Sequence, residues 1–336
     1  MYLNSIGEKA LDQPESGGRA MIDIIPHVPL EIVPIDAEVR AFVEASKADN
    51  TRKAYAKDWQ HFEHWCNARG EIPLPAFPDT VARYIAALAE THKPSTLQRR
   101  LASISVAHQA AGHQTPASSP LVRATMQGIR RRVGMAQRQA APLMVEHVRR
   151  AVALMGDSLQ DTRDKAILLL GLAGAFRRSE LVALDVADLD FRDQGVVVTL
   201  KRSKTNQEGR AETKDIGYGS HALTCPVRAL KKWILEGGIA EGPVFRPVTR
   251  LEGGQNRLGD RAIARIVKGA AQRIGLAPEL FSGHSLRAGF VTQGYREGVP
   301  ESDIMQQTGH RSREVLAKYR REGERFRTNL SAKVGL

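Results

Sequence analysis

The chain has 336 residues, of which 42% are hydrophobic, so it is long enough for two domains with their own cores and too apolar to be disordered. Its 49 Lys and Arg residues outnumber its 37 Asp and Glu residues, and the net charge of +12 indicates a polyanionic partner such as nucleic acid, although a merely basic surface would show the same excess. Two cysteines without a CxxC pair argue against structural zinc and suit a reducing compartment.

The apolar segments are too short for a membrane protein. The longest strongly apolar run, residues 166–176, is shorter than the roughly 20 residues that span a bilayer. The N-terminus also lacks the basic and then apolar pattern of a signal peptide. We therefore expect a cytoplasmic, soluble protein that has no membrane partner.

The first part of the chain predicts a small all-α domain. Residues 1–35 contain several prolines and a Gly-Gly pair and are typical of a flexible tail, whereas residues 36–133 have helical periodicity. Three of the helices are predicted after Pro78, from Ser95 as an N-cap, and near residues 121–133. The helix before them carries aromatic residues near the helical period, which we expect in the core rather than on a base-stacking surface; they are Tyr55, Trp59, Phe62 and Trp65.

Basic residues mark the predicted outer faces of the last two of these helices. They are Arg99, Arg100, Arg130, Arg131 and Arg132. Exposed arginines on the ridges of a helical domain suit docking onto phosphates, although a solvated charged face would have the same pattern. We expect these arginines to be exposed and to bind DNA.

His61, His64 and Cys66 lie close together in the first of these helices and could be interpreted as a metal site. They stand beside the aromatic stripe of the same helix, and we expect them to bind no metal.

The second part of the chain predicts a mainly α domain with one small antiparallel sheet. Residues 134–142 have few apolar anchors and end in proline, which is typical of a linker, and residues 143–336 form this domain together with a C-terminal tail. The β-branched run 196–200 predicts a strand, and residues 213–218 predict its hairpin partner. Helices are predicted over residues 145–155, 161–173, 226–233, 260–274, 284–297, 301–308 and 313–320.

A set of polar residues in the second domain is a candidate for chemistry. In chain order they are Arg177, Lys204, His284, Arg287, His310 and Tyr319. The lysine stands inside the predicted hairpin turn, and His284 and Arg287 are one helical turn apart. Each residue alone has an ordinary explanation, such as a surface cation or an amphipathic tyrosine. Their order and spacing together are far harder to obtain by chance.

In this order the set resembles the catalytic signature of the tyrosine recombinase (phage integrase) family, which reads Arg-x-Ser-Glu-Leu, a hairpin Lys, His-x-x-Arg, Gly-His and Tyr. The resemblance covers about residues 38–325, and the segments 282–287 and 202–205 are most similar to the Cre-like branch. It implies a mainly α protein with a small antiparallel β-sheet, in which an all-α core-binding domain precedes an α+β tyrosine recombinase catalytic domain.

The chain departs from this pattern in places. Ala175-Phe176 replaces the commoner Gly-Leu before the first arginine. Arg178 adjoins Arg177, but only Arg177 has a glutamate three residues later, as the family pattern requires. Lys201 competes with Lys204 for the hairpin position, and we favour Lys204.

The resemblance implies covalent catalysis by a tyrosine. Tyr319 would attack a phosphodiester and hold the broken 3′ end as a phosphotyrosine ester. A phenol with an ordinary pKa of about 10 needs help at neutral pH, and His284 would take or orient its proton. Lys204 would protonate the departing 5′-oxygen.

The remaining residues would stabilise the charge of the pentacoordinate phosphorane. Arg177 and Arg287 would clamp its non-bridging oxygens, because guanidinium groups bind bidentately and stay protonated. His310 would donate a further hydrogen bond, and Glu180 would orient an arginine or a histidine. The ester conserves bond energy, so the resemblance implies neither ATP nor a divalent metal nor any other cofactor.

The implied function is site-specific recombination of double-stranded DNA, as in the integration, excision or resolution of a mobile element. The protein would clamp DNA between its domains and act as a homotetramer on two DNA sites, and accessory directionality factors are possible partners. The segment 320–336 would dock on a neighbouring protomer through Phe326 and Leu330. A monomeric type IB topoisomerase and a catalytically silent DNA-binding regulator are the alternatives.

Overall fold

The computed structural model describes residues 49–134, 140–201, 212–248, 256–310 and 312–323. The chain divides into two compact units between Gln137 and Arg138. The predicted tail 1–35, Lys204 and the residues Phe326 and Leu330 lie outside the described residues.

The N-terminal unit is all-α in its described part. It contains α1 (Asp49–Asn67), α2 (Pro78–Ala87), α3 (Pro94–Ala110) and α4 (Pro120–Val133), with a short 3₁₀ turn at Pro116–Ser118. A proline opens each of α2, α3 and α4, where its fixed φ suits a helix and its missing N–H is not needed. The prediction that Ser95 caps α3 is wrong, because the helix begins at Pro94 with Lys93 as its N-cap.

Three of the four aromatic residues of α1 lie in or against the core of this unit, as predicted, whereas Tyr55 is partly buried and outside the buried cluster. Trp59 and Phe62 are buried, and Trp65 packs against the same apolar cluster. The ring of Phe62 meets the ring of Tyr84 edge-on at 4.9 Å between centroids, an arrangement that aromatic quadrupoles favour. These side chains therefore hold α1 against α2 and are not available to stack on bases.

The C-terminal unit is mainly helical around one small sheet. Its elements are α5 (Val145–Ala153), α6 (Leu159–Ala173), α7 (Arg178–Ala183), β1 (Leu189–Arg192), β2 (Gly195–Leu200), β3 (Glu212–Gly217), α8 (Pro226–Glu236), α9 (Asp260–Arg273), α10 (Ser285–Arg296), α11 (Glu301–Thr308) and α12 (Arg313–Gly323). The predicted fold class, mainly α with a small antiparallel sheet, is confirmed.

The sheet is antiparallel in the order β1-β2-β3. Val196 pairs with Ile216 and Val198 pairs with Lys214, so an apolar strand lies beside one that carries a buried lysine. Sequence reasoning missed β1, a four-residue strand whose alternate residues Asp190 and Arg192 form an ion pair at 2.7 Å.

The core of this unit forms around α6, whose residues 166–170 are all buried. A helix that is apolar on all sides must be covered on all sides, and α6 packs against α8 and α10. The end of α6 thereby lies deep in the unit, where it leads into Arg177. Within the ranges described, no helix is both long and apolar enough to cross a membrane.

Candidate active site

Three segments of the C-terminal unit meet at the guanidinium of Arg287. This residue lies in the first turn of α10 and is only 6% exposed. Its Nη1 donates to the carbonyl of Ala175 at 2.8 Å, and its Nη2 donates to the carbonyl of Thr308. Nη2 also lies 3.2 Å from Nε2 of His310. The arginine thus joins the turn after α6 to the turn after α11.

Arg177 stands at the N-cap of α7 and is held by Glu180. Its Nη1 donates to Oε1 of Glu180 at 2.5 Å, and its backbone N–H donates to Oε2 at 2.8 Å. The carboxylate of Glu180 is 1% exposed. Because both of its oxygens bind the same arginine, Glu180 fixes both the backbone and the guanidinium of Arg177.

The structure separates Arg177 from its neighbour Arg178. The Arg178 guanidinium lies 3.8 Å from Asp260 at the start of α9. Its side chain covers Gly283, where an added Cβ would lie 1.8 Å from Cδ of Arg178. Only Arg177 has the contact with Glu180, which the sequence pattern indicated.

The backbone bends sharply before Arg177. Ala175 has a φ of 47°, in the left-handed region that a residue with a Cβ rarely adopts and that costs on the order of 1–3 kcal/mol. Its N–H donates to Leu172 at 3.1 Å and its carbonyl accepts from Arg287. Ala175 therefore replaces the commoner glycine at a strained position, and the hydrogen bonds of its N–H and its carbonyl hold the backbone there.

His310 follows the left-handed C-cap of α11, Gly309, at a φ of 64°. Its Nδ1 lies 2.7 Å from the Thr308 hydroxyl, which donates in turn to the carbonyl of Ile304. Because Arg287 can only donate, Nε2 of a neutral His310 accepts from it, and the ring proton is assigned to Nδ1. A bound phosphate would have to displace His310 from Arg287. Nε2 could donate to that phosphate only after it had given up the bond from Arg287 and carried a proton.

Tyr319 lies on α12 and is half-buried. It packs against an apolar cluster in which Val291, Tyr295, Ile304 and Leu316 are buried. Leu316, one turn earlier on α12, is fully buried and fixes the helix to this cluster. Tyr319 interacts electrostatically with the Arg287 guanidinium.

The site is strongly cationic. Burial, together with the charge of Arg177, lowers the pKa of Arg287 to about 10, although Glu180 and Tyr319 oppose the shift. Arg287 remains charged at neutral pH but has lost most of its water. A desolvated cation attracts an incoming phosphate more strongly than one in water does.

His284 is the N-cap residue of α10 and is exposed, whereas Arg287, one turn later, is buried. The two residues share a helical turn as predicted but differ in their access to solvent. The backbone N–H of His284 donates to the Ser282 hydroxyl at 3.1 Å, which fixes the turn.

The structure describes one of the two candidates for the hairpin lysine. Lys204 lies outside the described residues, but its competitor Lys201 is described. Lys201 Nζ lies 2.8 Å from the carboxylate of Asp188, which is 5% exposed, and 3.8 Å from that of Asp185. Lys201 is therefore engaged in an ion pair at the base of the hairpin.

Sequence reasoning missed Lys214, a buried lysine on β3. Its Nζ donates to the carbonyl of Gly174 at 2.8 Å and to the carbonyl of Gln307, and it lies 5.3 Å from the ring centroid of Phe176. The available signal was period-2 alternation, which places Lys214 on the same inward face as Ile216.

The structure corrects the prediction that Arg100 is exposed and binds DNA. It is 7% exposed, and its Nη1 donates to the Tyr84 hydroxyl at 2.9 Å and lies 2.9 Å from Nδ1 of His61. The reason is helical position, because Arg100 falls three residues after Leu97 and four before Ile104 on the buried face of α3. Its guanidinium is part of the interior and is not presented to a phosphate.

The other predicted DNA-binding arginines are at the surface. Arg99 is half-exposed but forms a bidentate pair with Asp58 at 2.7 and 3.0 Å. The exposed residues Arg130, Arg131 and Arg132 fill the last turn of α4. A further basic stripe on α9, which sequence reasoning missed, consists of Arg261, Arg265 and Lys268.

The histidines of α1 and Cys66 lie apart. Cys66 is buried in the apolar core, which raises the pKa of its thiol to about 11, whereas His64 is exposed. His61 binds the Tyr84 hydroxyl at 2.9 Å. Among the residues that the structure describes, no group of His, Cys, Asp and Glu side chains is arranged to hold a metal ion.

The chain is similar to known proteins in family, sequence and structure. Residues 141–325 match the model of the family described as the phage integrase family. The sequence is 44% identical over 292 residues to an integrase/recombinase XerD homolog of Selenomonas ruminantium, covering 85% of this chain and 86% of that protein. It is 25% identical over 323 residues to recombinase Cre of Escherichia phage P1, covering 87% of this chain and 92% of that protein.

The fold is similar to that of a solved recombinase. The XerH site-specific recombinase, bound to a palindromic difH substrate in a post-cleavage complex, matches with a TM-score of 0.61 and 14% sequence identity. The match covers 84% of this chain and 78% of that one. The likeness extends across both units and concerns the fold.

Proposed function

The chain belongs to the phage integrase family and is a site-specific DNA recombinase, and we propose that its reaction is carried by the cluster around Arg287. Tyr319 attacks a phosphodiester of double-stranded DNA, the 5′-oxygen leaves, and the 3′ end is held on Tyr319 as a phosphotyrosine ester. A 5′-hydroxyl from another strand then attacks this ester and frees the tyrosine. Each step exchanges one phosphate ester for another, so bond energy is conserved.

A single observation supports this proposal most strongly. Arg287 contacts His310 and interacts electrostatically with Arg177 and Tyr319, although these residues come from separate segments of the chain. A phosphate at this point would find two guanidinium groups and an imidazole beside a phenol. Such preorganised donors stabilise the extra charge of the phosphorane transition state.

Two further residues complete the proposed chemistry. His284 takes or orients the proton of Tyr319, and its exposed position at the start of α10 leaves it accessible to DNA. Lys204 protonates the leaving 5′-oxygen, a role that the ion pair of Lys201 with Asp188 leaves to the lysine further into the hairpin. Glu180 does not touch the phosphate and acts by holding Arg177.

The basic surfaces of both units support binding to double-stranded DNA. We propose that Arg99, Arg130, Arg131 and Arg132 in the N-terminal unit contact phosphates. The exposed stripe Arg261, Arg265 and Lys268 on α9 adds cationic surface in the C-terminal unit. Phosphate contacts of this kind position DNA without reading its sequence.

We also propose that the protein assembles as a homotetramer on two DNA sites through its C-terminal segment. An apolar cavity of about 360 Å³ lies among α5, α6, α10 and α11, lined in part by Val148, Leu169, Leu172 and Phe290. Phe326 and Leu330 are four residues apart and would share one face of a helix. This pair from one protomer would fill the cavity of the next.

The experiment that tests the proposed function is the trapping of a covalent protein–DNA adduct. The purified protein is mixed with labelled, nicked duplexes tiled across the DNA that flanks its own gene, and then denatured with detergent. We expect slowly migrating DNA with the wild type and none with Tyr319→Phe. The matched control is Tyr218→Phe, which changes an exposed tyrosine of the same unit and should keep the adduct.

Binding without any adduct on these duplexes would contradict the proposed reaction and would favour a DNA-binding regulator. Formation of an adduct by Tyr319→Phe would contradict the choice of nucleophile.

A further inference from the structure

Lys214 lies beneath the candidate active site, and the proposed chemistry does not use it. It points inward from β3 and is 6% exposed. A lysine is almost never this buried unless its ammonium has fixed partners. Here the partners are two backbone carbonyls, those of Gly174 and Gln307.

Both carbonyls belong to helix ends that lead directly into the site. Gly174 is the C-cap of α6, and Gln307 lies in the last turn of α11. The final carbonyls of a helix have no partner within it and carry the negative end of its dipole, so a cation there satisfies both. Arg177 comes three residues after Gly174, and His310 comes three residues after Gln307.

Arg287 binds the next carbonyl of each segment. It donates to Ala175, the residue after Gly174, and to Thr308, the residue after Gln307. Lys214 and Arg287 therefore bridge the same two segments through consecutive carbonyl groups. The side-chain amide of Gln307 adds a third bridge, to the carbonyl of Ala173 at 3.3 Å.

We propose that Lys214 is a positioning residue for strand cleavage, which fixes the ends of α6 and α11 so that Arg177, Arg287 and His310 keep their mutual geometry. This inference rests on the proposed function of the site. Lys214 is too buried to reach the phosphate, and it acts through the segments that carry the residues that do.

The pKa of Lys214 offers a way to distinguish two roles: positioning of the helix ends by its hydrogen bonds, and stabilisation of the bound phosphate by its positive charge. Burial, together with the charges of Arg287 and Arg177, lowers the pKa of Lys214 to about 8, although Glu180 and Glu212 oppose the shift. A neutral amine still has two N–H donors, enough for both carbonyls. Positioning by hydrogen bonds should therefore persist above this pKa, whereas a contribution of positive charge should fade.

The test compares wild type with Lys214→Met, which keeps an unbranched apolar stem and removes the donors. The measured quantities are the rate of adduct formation at saturating DNA and the dissociation constant, both on the labelled nicked duplex that gives the wild-type adduct. We expect adduct formation to slow by about 10²-fold, because displacements of about 1 Å at a reacting centre have such effects. We expect the dissociation constant to be unchanged.

Two further measurements sharpen the test. The ratio of wild-type to Lys214→Met rates should stay constant between about pH 7 and about pH 9, because both forms of the amine donate. Lys214→Arg keeps donors at the same place and should recover most of the rate. Lys232→Met removes an exposed lysine on α8 that pairs with Asp157 and should behave as wild type.

The inference is overturned if Lys214→Met reacts at the wild-type rate, or if its loss appears in DNA affinity instead of rate. A rate ratio that falls as the pH rises would also overturn it, in favour of a charge effect. Thermal melting without DNA checks whether each variant folds. If Lys214→Met does not fold, the test passes to Lys214→Arg. A folded Lys214→Arg that forms the adduct as slowly as Arg287→Ala would overturn the proposed positioning role. Absence of the wild-type adduct would instead reject the proposed function itself.

Discussion

Arg287 joins a structural contact to its proposed catalytic role. Its guanidinium holds the backbone of two turns and also contacts His310. A hydrogen bond to a charged donor contributes roughly 1.5–3 kcal/mol, so the side chain that we propose to bind the phosphate also stabilises the site. A loss of activity in an Arg287 variant could therefore come from a disturbed fold. Variants of Arg177 and Arg178 test the site without removing these backbone contacts.

The difference between Arg177 and Arg178 gives a direct prediction. Arg177→Ala should slow adduct formation by at least about 10²-fold, the usual cost of losing one preorganised donor, while DNA binding stays nearly unchanged. Arg178→Ala, which loses a pair with Asp260 at 3.8 Å and the packing of the side chain over Gly283, should react within a few-fold of wild type. Timed adduct formation and a gel-shift titration provide the two readouts.

A large loss of rate in Arg178→Ala with a small loss in Arg177→Ala would reverse the assignment of the first catalytic arginine.

At the scale of single elements, α3 contains a histidine that must be neutral. His108 is fully buried, its Nδ1 faces the carbonyl of Ile104 at 2.8 Å, and its Nε2 accepts the backbone N–H of Ala76 at 2.9 Å. Both nitrogens are thereby assigned in the neutral ring, since a proton on Nε2 would break the bond to Ala76. Burial lowers the pKa of His108, and the bond to Ile104 opposes the shift.

Acid should therefore destabilise the N-terminal unit. As the pH falls below about 6.5, His108 takes up a proton in the unfolded chain before it does so in the folded one, so the free energy of unfolding decreases. Burial also lowers the pKa of His61, which acts in the same direction. Urea denaturation at about pH 7 and about pH 5, followed by tryptophan fluorescence, measures the effect.

His108→Gln should reduce this pH dependence more than His113→Gln, which changes an exposed histidine whose charge contributes less than burial to the lowered pKa of His108. An equal pH dependence in wild type and His108→Gln would contradict the prediction.

The last turn of α4 gives a prediction about DNA binding. Replacing Arg130, Arg131 and Arg132 together with Gln should weaken binding and reduce the slope of log K against log salt by about 0.9 for each phosphate that is no longer neutralised. Arg83→Gln is the control, because Arg83 is exposed but already paired with Glu71 and Asp79, both at 2.9 Å. Binding titrations at several salt concentrations measure both variants.

An unchanged salt slope in the triple variant would show that this turn of α4 does not bind DNA. A reduced slope in Arg83→Gln would show that the effect is not specific to α4.

At the scale of the whole molecule, the net charge of +12 and the proposed docking of the C-terminal segment concern two different interactions. The charge attracts DNA of any sequence and makes binding salt-dependent. The proposed assembly, in contrast, requires an apolar segment of one protomer to enter the cavity of another. The two interactions can therefore be separated by experiment.

Truncation after residue 322 should weaken tetramer formation on DNA while leaving the binding of one protomer to one site intact. The reason is that Phe326 and Leu330 are removed, whereas the basic surfaces remain. Sedimentation of protein–DNA complexes measures assembly, and Phe326→Ala with Leu330→Ala in the full chain is the matched variant. Normal tetramers in the truncated protein would refute the role of this segment.

The sequence by itself determined the family, the fold class and the chain order of the candidate catalytic residues. These features depend on local patterns, such as the spacing of His284 and Arg287, the glutamate three residues after Arg177, and the helical period of the aromatic stripe on α1. A short motif keeps its meaning wherever the rest of the chain lies, so a linear pattern suffices to find it.

Only the tertiary structure decided which side chains meet. Lys214 reaches carbonyls 40 and 93 residues away in the sequence, and Arg287 reaches one 112 residues away. The sequence pattern predicts Arg100 as a surface cation, whereas in the structure its guanidinium contacts Tyr84 and His61 in the interior. Burial and hydrogen bonding across such distances depend on how helices pack, which a local pattern does not encode.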